Sequence, residues 1–273
     1  MQIKQPQLQI ARAYTPLPPS QVSSTEVSEY AQDLRFLVRR DPKGEVSGYL
    51  HKLPDGAAVE LRGPNIEYVL PKDVEKVVFL AGGTGIAPAL QVARSLLYSK
   101  REEVSRGEAK IHILWACRKR EDCLGGVSEH QDRPQATHGT AWRKSLGLSV
   151  ETENKPDDAA SRVSSSIVDE LDAIKTRHPD RISINYFVDE EKTSIGINHI
   201  QKLLTPQTVP STNNPRTTGN NSDGRKVILL SGPDGFVDYY AGPKRWEGGK
   251  EVQGRLGGVL AKTDLQGWQI WKL

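Results

Sequence analysis

The amino-acid sequence predicts two structural units, an antiparallel β unit followed by a parallel α/β unit. Three observations carry this prediction. Short strand patterns separated by turns fill residues 1–72, strand and helix patterns alternate over residues 73–273, and a glycine-rich turn, GGTGIAP, stands where the first buried strand of the second part meets a helix. Alternating strands and helices are typical of a parallel sheet with helices on both faces.

The first part holds runs of aliphatic, aromatic and β-branched residues bounded by turn residues, which are typical of strands. The predicted strands are residues 8–14 (LQIARAY), 34–40 (LRFLVRR), 57–63 (AAVELRG) and 66–70 (IEYVL). Residues 48–53 (GYLHKL) are predicted to form a short helix.

In the second part, five apolar runs predict strands, and the segments between them carry helical periodicity. The predicted strands are residues 77–81, 111–117, 181–188, 226–232 and 268–273, and the predicted helices are residues 88–97, 164–177, 198–204 and a segment around Phe236. Two polar stretches, residues 119–162 and 205–225, interrupt this order and are expected to be insertions. Their composition does not distinguish partner-binding segments from spacers.

The composition, with 36% hydrophobic and 26% charged residues, is ordinary for a globular protein. The net charge of +3 is small and no stripe of Lys and Arg with interleaved aromatics occurs, which argues against nucleic-acid binding. No apolar run approaches the ~18–20 residues that cross a bilayer, and the first ten residues lack a signal-peptide pattern. Cys117 and Cys123 are the only cysteines and no histidine pair completes a metal site, so no metal is expected.

The glycine-rich turn has the composition of a phosphate-binding loop. A strand that turns through glycine into a helix exposes backbone N–H groups at the positive end of the helix dipole, and these attract phosphate. Gly82, Gly83 and Gly85 are expected to let a ligand approach the backbone, and the Thr84 hydroxyl to bond a phosphate or a ribose. Pro88 suits the first helical turn, because its missing N–H costs nothing there. A tight turn that binds nothing is the alternative.

The RAYT motif places a guanidinium, an aromatic ring and a hydroxyl on one predicted strand. In an extended strand Arg12 and Tyr14 point to the same face, while Thr15 starts the opposite one. The guanidinium can hold a diphosphate in bidentate fashion, and the Tyr14 ring can lie against a planar cofactor. An ordinary surface strand is the alternative.

Two further motifs combine glycine, a hydroxyl and the start of a helix. GEVS, residues 44–47, precedes the short helix of the first part, where a simple N-capped turn is the alternative. SGPDGF, residues 231–236, follows the fourth predicted strand of the second part. It stands at the carboxyl end of the predicted sheet, where open α/β folds bind ligands.

In order and spacing, the four motifs RxYT, GxVS, GGTGIAP and SGPDGF resemble the ferredoxin–NADP reductase superfamily, and most closely its cytochrome b5 reductase branch. The resemblance covers nearly the whole chain. It implies that residues 1–72 are the C-terminal part of an FAD-binding β-barrel and that residues 73–273 are an NAD(P)-binding α/β domain. The implied cofactors are FAD and either NAD or NADP.

The same resemblance implies roles for individual residues. Arg12 contacts the FAD phosphates, and Tyr14 and Thr15 meet the isoalloxazine and ribityl region. A second phosphate clamp on FAD is formed by Gly44, Glu45, Val46 and Ser47. The turn that binds the NAD(P) pyrophosphate consists of Gly82, Gly83, Thr84, Gly85, Ile86 and Pro88. Gly232 and Pro233 lie beside the nicotinamide, and the residues assigned to catalysis are Thr15 and Ser231.

The resemblance implies an NAD(P)H-dependent flavin oxidoreductase that passes electrons through FAD to haem or a haem protein. The C-terminal tail from GPDGF onwards resembles a fungal mitochondrial branch that acts in cytochrome c import and haem attachment. That branch implies a role in cytochrome c maturation on the intermembrane-space side of the inner mitochondrial membrane, with a membrane anchor in a preceding segment. A general cytochrome b5 reductase-type carrier and a non-catalytic assembly factor are the alternatives.

Three features depart from the superfamily pattern. Ser231 stands where many relatives carry a cysteine beside the nicotinamide, so hydride transfer is expected to be slow. Too few residues precede Arg12 for the first strands of a complete barrel, so the chain is expected to be N-terminally truncated and to bind FAD poorly. The basic run 118–120 stands where relatives distinguish NAD from NADP, and it can hold a 2′-phosphate or form a solvated loop.

Overall fold

The computed structural model describes residues 1–19, 33–98, 109–128, 165–205 and 225–273. They form a three-stranded antiparallel sheet, a five-stranded parallel sheet and a two-stranded hairpin. The strands are β1 (Gln2–Gln5), β2 (Ile10–Ala13), β3 (Leu61–Arg62), β4 (Val74–Gly82), β5 (Lys110–Cys117), β6 (Ile182–Val188), β7 (Arg225–Ser231), β8 (Arg245–Glu247), β9 (Lys250–Val252) and β10 (Trp268–Lys272). The helices are α1 (Glu45–Leu50), α2 (Ile86–Leu97), α3 (Ser166–Arg177), α4 (Ile197–Leu204) and α5 (Asp234–Ala241). An antiparallel sheet followed by a parallel α/β sheet is the predicted fold class, which is confirmed.

The antiparallel sheet has the order β2-β1-β3, with β1 between its two neighbours. β1 and β2 pair so that Ile3 lies opposite Arg12. The six-residue helix α1 packs against both strands, and it buries the side chain of Val46. The short helix predicted over residues 48–53 is present, but it begins three residues earlier, directly after Gly44.

The parallel sheet has the order β10-β7-β4-β5-β6, with β4 at its centre. All five strands predicted in the second part are present, and so are its four predicted helices. α2 and α3 pack on one face of the sheet, while α4 and α5 pack on the other. Each helix connects strands or follows a strand in the way that a doubly wound sheet requires.

Alternate residues of β4 enter the two layers of the core. Val77 and Phe79 belong to the cluster under α2 and α3, whereas Val78 and Leu80 belong to the cluster under α4 and α5. All four side chains are fully buried. A central parallel strand is buried on both faces, which explains the unbroken apolar run in the sequence. Each such side chain contributes ~1.5–3 kcal/mol to folding, so β4 is a rigid base for the turn that follows it.

The strand predicted over residues 34–40 is wrong. This segment runs beside residues 16–19 (PLPP). Within the described residues it makes one isolated β-bridge, between Phe36 and Pro16. One backbone hydrogen bond, from the Leu17 N–H to the Arg35 carbonyl at 2.7 Å, joins the two segments. A ladder cannot extend here because proline has no N–H to donate.

Two other strand predictions in the first part also change. The strand predicted over residues 57–63 is reduced to β3, which pairs with only two residues of β1. The strand predicted over residues 66–70 is wrong. Its Tyr68 and Leu70 pack against the parallel-sheet core, and the Tyr68 ring lies 5.4 Å from the Trp271 ring. Side-chain packing therefore holds this segment in place of backbone pairing.

Two strand features were not predicted. β1 reads QIKQ, in which polar residues outnumber the single isoleucine, so it carries no apolar run. The β8–β9 hairpin turns at Gly248 and Gly249, whose φ angles are +57° and +77°. A Gly-Gly pair between two short strands is a known hairpin signal, so this feature was predictable.

Much of the two predicted insertions lies outside the described residues, namely residues 129–162 and 206–224. Within the described part, residues 119–128 contain a short 3₁₀ helix, Arg120–Cys123. In the described ranges, no helix has both the length and the apolar character to cross a bilayer.

Candidate functional site at the carboxyl edge of the parallel sheet

The glycine turn lies at the end of the central strand. β4 ends at Gly82, a 3₁₀ turn spans Gly83–Gly85, and α2 begins at Ile86. Gly83 has a φ of +53°, which a residue with a Cβ adopts only at a cost. The buried Trp115 of β5 donates its Nε1–H to the Gly83 carbonyl at 2.9 Å. This hydrogen bond holds the turn in its left-handed conformation.

The turn offers both space and hydrogen-bond donors to an anion. A Cβ added at Gly83 would have Arg39 Nη1 as its nearest neighbour, at 3.9 Å. Thr84 is exposed, and no side-chain hydrogen bond caps the start of α2. The Ile86 N–H, the first of α2, donates back to the preceding 3₁₀ turn. The start of a helix typically leaves further N–H groups without a partner inside the helix, and such groups suit a phosphate. These features fit the diphosphate of a dinucleotide.

The second turn of the site follows β7. Ser231 ends β7 and is buried, Gly232 is half-buried, and Pro233 is exposed just before α5 begins. β7 lies beside β4 in the sheet and runs parallel to it, with Ala81 opposite Ser231. The two turns therefore emerge side by side.

The two turns are in direct contact through their glycines. A Cβ added at Gly85 would lie 2.1 Å from the Ser231 carbonyl oxygen. Cβ atoms added at Gly82 and Gly232 would lie 2.7 Å and 3.0 Å from the ring of Phe236. Gly82 and Gly85 have negative φ angles, −103° and −61°. These two glycines are thus required for close packing between the turns, whereas Gly83 has the special backbone conformation.

The two turns lie where the order of the strands reverses. The chain continues from β4 to β5 and β6 on one side, and from β7 to β10 on the other. In an open parallel sheet this switch point forms a crevice outside the carboxyl ends of the strands, where ligands bind. The structure therefore brings the GGTGIAP and SGPDGF motifs together at the expected binding edge.

Arg39 was not predicted as a site residue, because its segment was predicted only as a strand. Its Nη2 atom pairs with Asp122 Oδ2 at 3.2 Å, and its Nη1 atom approaches Gly83. The Arg39 side chain is 38% exposed. It adds a positive charge to the donors of the glycine turn. The arginine pair at residues 39–40, shortly before GEVS, is the signal that could have revealed it.

The RAYT motif lies on β2 and just beyond it. Arg12 is exposed, while Tyr14 and Thr15 are half-buried. Burial raises the pKa of Tyr14 and the positive charge of Arg12 opposes that rise, so the two side chains interact electrostatically. Arg12 belongs to the antiparallel sheet and the glycine turn to the parallel sheet. Among the described residues, no hydrogen bond or ion pair joins Arg12 to that turn.

The GEVS motif forms a closed turn at the start of α1. Ser47 Oγ accepts a hydrogen bond from the Asp41 N–H at 3.1 Å and donates one to the Gly44 carbonyl at 3.3 Å. The Ser47 hydroxyl is therefore engaged within the turn, and Ser47 is buried. No side chain caps α1, so backbone N–H groups are the donors that this motif can offer to a second phosphate.

The chain after RAYT is attached to the helices of the parallel sheet. Gln91 of α2 donates its Nε2–H to the Pro16 carbonyl at 2.7 Å. Arg35 pairs with Glu170 of α3 and also donates to the Pro18 carbonyl at 2.6 Å. These contacts place the segment that follows β2 against α2 and α3.

The basic run after β5 is largely occupied by internal contacts. Arg120 makes a bidentate ion pair with Glu191 and donates Nη1–H to the Gly126 carbonyl at 3.2 Å. The hydrogen bond between them raises the pKa of Arg120 and lowers that of Glu191. Lys119 pairs with Glu121 in an exposed position. The guanidinium of Arg120 is thus engaged in the loop, which favours the solvated-loop interpretation over a 2′-phosphate site at this residue.

Tyr240 anchors α5, and hence the second turn, to the loop after β6. Its Oη–H donates to the Ile195 carbonyl at 2.9 Å within the core, and burial raises its pKa to about 12 from an ordinary value of 10.0. Because the phenol ionises more readily in the unfolded chain, its contribution is complete below pH 10.0 and is lost as the pH rises towards 12. We expect Tyr240→Phe to lower the free energy of unfolding by about 1 kcal/mol at neutral pH.

Urea unfolding measured from neutral pH to pH 12 checks this prediction. Between pH 10.0 and 12, the Tyr240→Phe variant should lose stability less steeply than the parent protein. The control is Tyr239→Phe, because the neighbouring Tyr239 is 62% exposed. Equal pH profiles for the parent and Tyr240→Phe would contradict the assignment.

Part of this chain is similar to a known protein family. Residues 79–168 match the family model of the oxidoreductase NAD-binding domain. The match begins within β4, continues through the glycine turn, α2 and β5, and ends within α3. Residues 79–168 are therefore similar to an oxidoreductase NAD-binding domain, which agrees with the superfamily resemblance seen in the motifs.

The relatives of this chain include cytochrome b5 reductases and a cytochrome c import factor. NADH-cytochrome b5 reductase 2 of Lodderomyces elongisporus is 22% identical over 186 residues, which cover 68% of this chain and 44% of that protein. NADH-cytochrome b5 reductase 2 of Meyerozyma guilliermondii is 21% identical over 266 residues, 96% of this chain and 67% of that protein. The cytochrome c mitochondrial import factor of Saccharomyces cerevisiae is 37% identical over 78 residues, 26% of this chain and 21% of that protein.

The NAD-binding domain therefore matches parts of longer proteins. The chain spans less than half the length of the Lodderomyces reductase that it resembles. Over the described ranges, no group of three or more His, Cys, Asp or Glu side chains is arranged to hold a metal ion. The groups that the described residues place at the crevice are backbone donors, closely packed glycines and a few charged side chains.

Proposed function

We propose that this chain belongs to an NAD(P)H-dependent flavin oxidoreductase of the cytochrome b5 reductase kind, which passes electrons from a nicotinamide through FAD to haem or a haem protein. The observation that carries the proposal is the crevice formed by the turns after β4 and β7, which pack on each other through Gly85 and Ser231. The family match covers the first of these turns, and the relatives named as NADH-cytochrome b5 reductases support the same activity.

The residues of the crevice would hold and orient the nicotinamide dinucleotide. Backbone N–H groups within the turn from Gly82 to Ile86 bind the pyrophosphate, with Pro88 in the helical turn behind them, and the exposed Thr84 hydroxyl bonds a phosphate or the ribose. The guanidinium of Arg39 adds a charge-assisted hydrogen bond. Gly232 and Pro233 form the wall beside the nicotinamide, with Ser231 behind them. When bound, the nicotinamide supplies a hydride and FAD accepts it.

The residues of the first part would hold FAD. Arg12 binds the FAD phosphates, and the backbone of residues 44–47 binds a phosphate as well. Tyr14 and Thr15 lie against the ring system and the ribityl chain of FAD. The exposed guanidinium of Arg12 and the half-buried ring of Tyr14 fit those roles. In this scheme residues 1–72 are the flavin-binding part and residues 73–273 the nicotinamide-binding part. The protein aligns two rings and needs no acid or base of its own.

The finer part of the proposal is a role in mitochondrial cytochrome c maturation. It is supported by the 78-residue match to the cytochrome c mitochondrial import factor of Saccharomyces cerevisiae. In this role the protein acts in mitochondria, on the intermembrane-space side of the inner membrane, and its acceptor is haem or a haem protein of the cytochrome c pathway. A general b5 reductase-type carrier would share the cofactors but not this location.

Absorbance spectroscopy of the full-length protein tests the proposal. The purified protein should carry a yellow flavin, and NADH or NADPH should bleach the flavin band without oxygen. Added ferric haem or ferric cytochrome should then restore the band. A colourless protein that binds neither nucleotide would overturn the proposal and support a non-catalytic assembly factor with the same fold.

Ser231→Cys is expected to speed flavin reduction by NADH in stopped-flow measurements. A thiol is larger and more polarizable than a hydroxyl, and Ser231 is buried at the end of β7 next to the glycine turn. The flavin absorbance of the resting protein should not change. An equal or lower rate would remove Ser231 from the list of residues that act on hydride transfer.

A further inference from the structure

The two cysteines lie next to the crevice, and the proposed function does not use them. Cys117 ends β5 and Cys123 ends the 3₁₀ turn that follows it. Both are free thiols, and their exposed fractions are 2% and 0%. They lie at the two ends of one short turn, and both side chains belong to the same buried cluster.

The surroundings of the two thiols contain charged groups as well as apolar ones. Arg120 points Nη1–H at Cys123 Sγ from 3.7 Å, and the same guanidinium is held in place by Glu191. Asp122 stands beside Cys123 in the turn and pairs with Arg39. The neighbouring Cys117 thiol and the charge of Arg120 lower the pKa of Cys123, whereas the neighbouring Cys123 thiol and burial raise the pKa of Cys117.

This asymmetry gives the two sulfur atoms different chemistry. A thiolate is the reactive form of cysteine, and a neighbouring guanidinium stabilises it. Cys123 has that neighbour, whereas Cys117 lies within the apolar end of β5. Residues on both sides of Cys123 in the chain, Glu121 and Leu124, are exposed. Opening of one short surface turn would therefore bring Cys123 to solvent, without unfolding the sheet.

We propose that Cys117 and Cys123 form a dithiol–disulfide site, with Cys123 as the attacking and Cys117 as the resolving thiol. The oxidant is a small hydroperoxide. The Cys123 sulfur attacks the peroxide bond, becomes a sulfenic acid and releases an alcohol, or water from hydrogen peroxide. The Cys117 thiol then attacks that sulfur, forms the disulfide and releases water. The two thiols lose two electrons, and the hydroperoxide accepts them.

Formation of the bond would move the turn. Two free thiols are farther apart than the ~2.05 Å of a disulfide, so the 3₁₀ turn must shift towards β5. Asp122 lies on that turn and holds Arg39, which approaches Gly83. Oxidation would thus shift Arg39 relative to the glycine turn, through the ion pair between Arg39 and Asp122. This consequence goes beyond the proposed function, and the chemistry of the site does not depend on it.

Mass spectrometry of the protein tests the proposal without any cofactor. The reduced full chain is freed of reductant, treated with hydrogen peroxide and measured intact and after proteolysis. The expected product has lost two hydrogen atoms, contains a Cys117–Cys123 linkage and has no free thiol under denaturing conditions. Because the chain has only two cysteines, the thiol count falls from two to none, and dithiothreitol restores both.

Two variants separate the roles of the thiols. In Cys117→Ser, Cys123 should form a sulfenic acid that dimedone traps, whereas in Cys123→Ser the remaining Cys117 should react at least tenfold more slowly. Arg120→Met should slow oxidation of the parent dithiol while leaving the disulfide as the product. Addition of oxygen to the wild-type cysteines without a disulfide, disulfide-linked dimers, or no reaction would each overturn the proposal.

Discussion

Gly85→Ala is expected to have the largest effect of any single substitution in the crevice. The added Cβ would lie 2.1 Å from the carbonyl oxygen of Ser231, far inside van der Waals contact. Backbone atoms form the other side of this contact, so no side chain can rotate away. The two turns must separate, and we expect a loss of about 3 kcal/mol in the free energy of unfolding, at the upper end of the overpacking range. NADH-dependent flavin reduction should fall to background.

Chemical denaturation followed by tryptophan fluorescence measures the stability change. Gly235→Ala is the matched control, because an added Cβ there meets nothing within 4 Å and Gly235 lies within α5, where alanine is favoured over glycine by up to ~1 kcal/mol. The control should be neutral or slightly more stable. Similar stabilities for the two variants would show that the turns after β4 and β7 do not depend on close packing.

Arg39→Gln is expected to weaken binding of the nicotinamide nucleotide about 10- to 100-fold, which corresponds to ~1.4–2.8 kcal/mol. The lost interaction is a charge-assisted hydrogen bond to the pyrophosphate, which is typically worth ~1.5–3 kcal/mol. Since the Arg39–Asp122 pair is partly exposed, its loss should cost less than ~1 kcal/mol of folding stability. The effect should therefore appear in KM for NADH, with kcat and the melting temperature nearly unchanged.

Steady-state kinetics at constant ionic strength checks this second prediction. Arg40→Gln is the control, because Arg40 is the exposed neighbour and its replacement changes the net charge equally. It should leave KM within about twofold, since an exposed charge is largely screened by salt. Equal increases in KM for both variants would indicate a general effect of net charge and would contradict a specific contact of Arg39 at the glycine turn.

The parallel sheet was predictable from the sequence because strands that are buried on both faces appear as nearly continuous apolar runs. The runs at residues 77–81, 111–117 and 226–232 are mostly apolar, with His112, Lys226 and Ser231 as their polar residues, and each is followed by a glycine turn or a polar loop. β4, β5 and β7 occur at these places. In contrast, the segments 34–40 and 66–70 carry charged residues, and within the described residues they make only the isolated β-bridge at Phe36.

The candidate site also combines features that the sequence predicted with features that only the structure revealed. The motifs GGTGIAP and SGPDGF were visible as strand-to-helix turns, but the distance between them along the chain says nothing about their contact. Gly85 is required because a Cβ there would collide with the Ser231 carbonyl oxygen. Arg39 is a candidate site residue because it approaches Gly83 and pairs with Asp122. Such pairs are distant in sequence and are set by strand order.

The sequence by itself determined the order of strands and helices in the second part, the position of the glycine turns and the absence of a metal-ligand pattern, because helical and strand periodicity and turn chemistry are local properties of the chain. Only the tertiary structure decided that β4 and β7 are neighbours, that their turns require glycine for contact, and that Arg39 and the cysteine pair stand beside the crevice. These features depend on which strands pair, and strand pairing is fixed by the burial of the whole core.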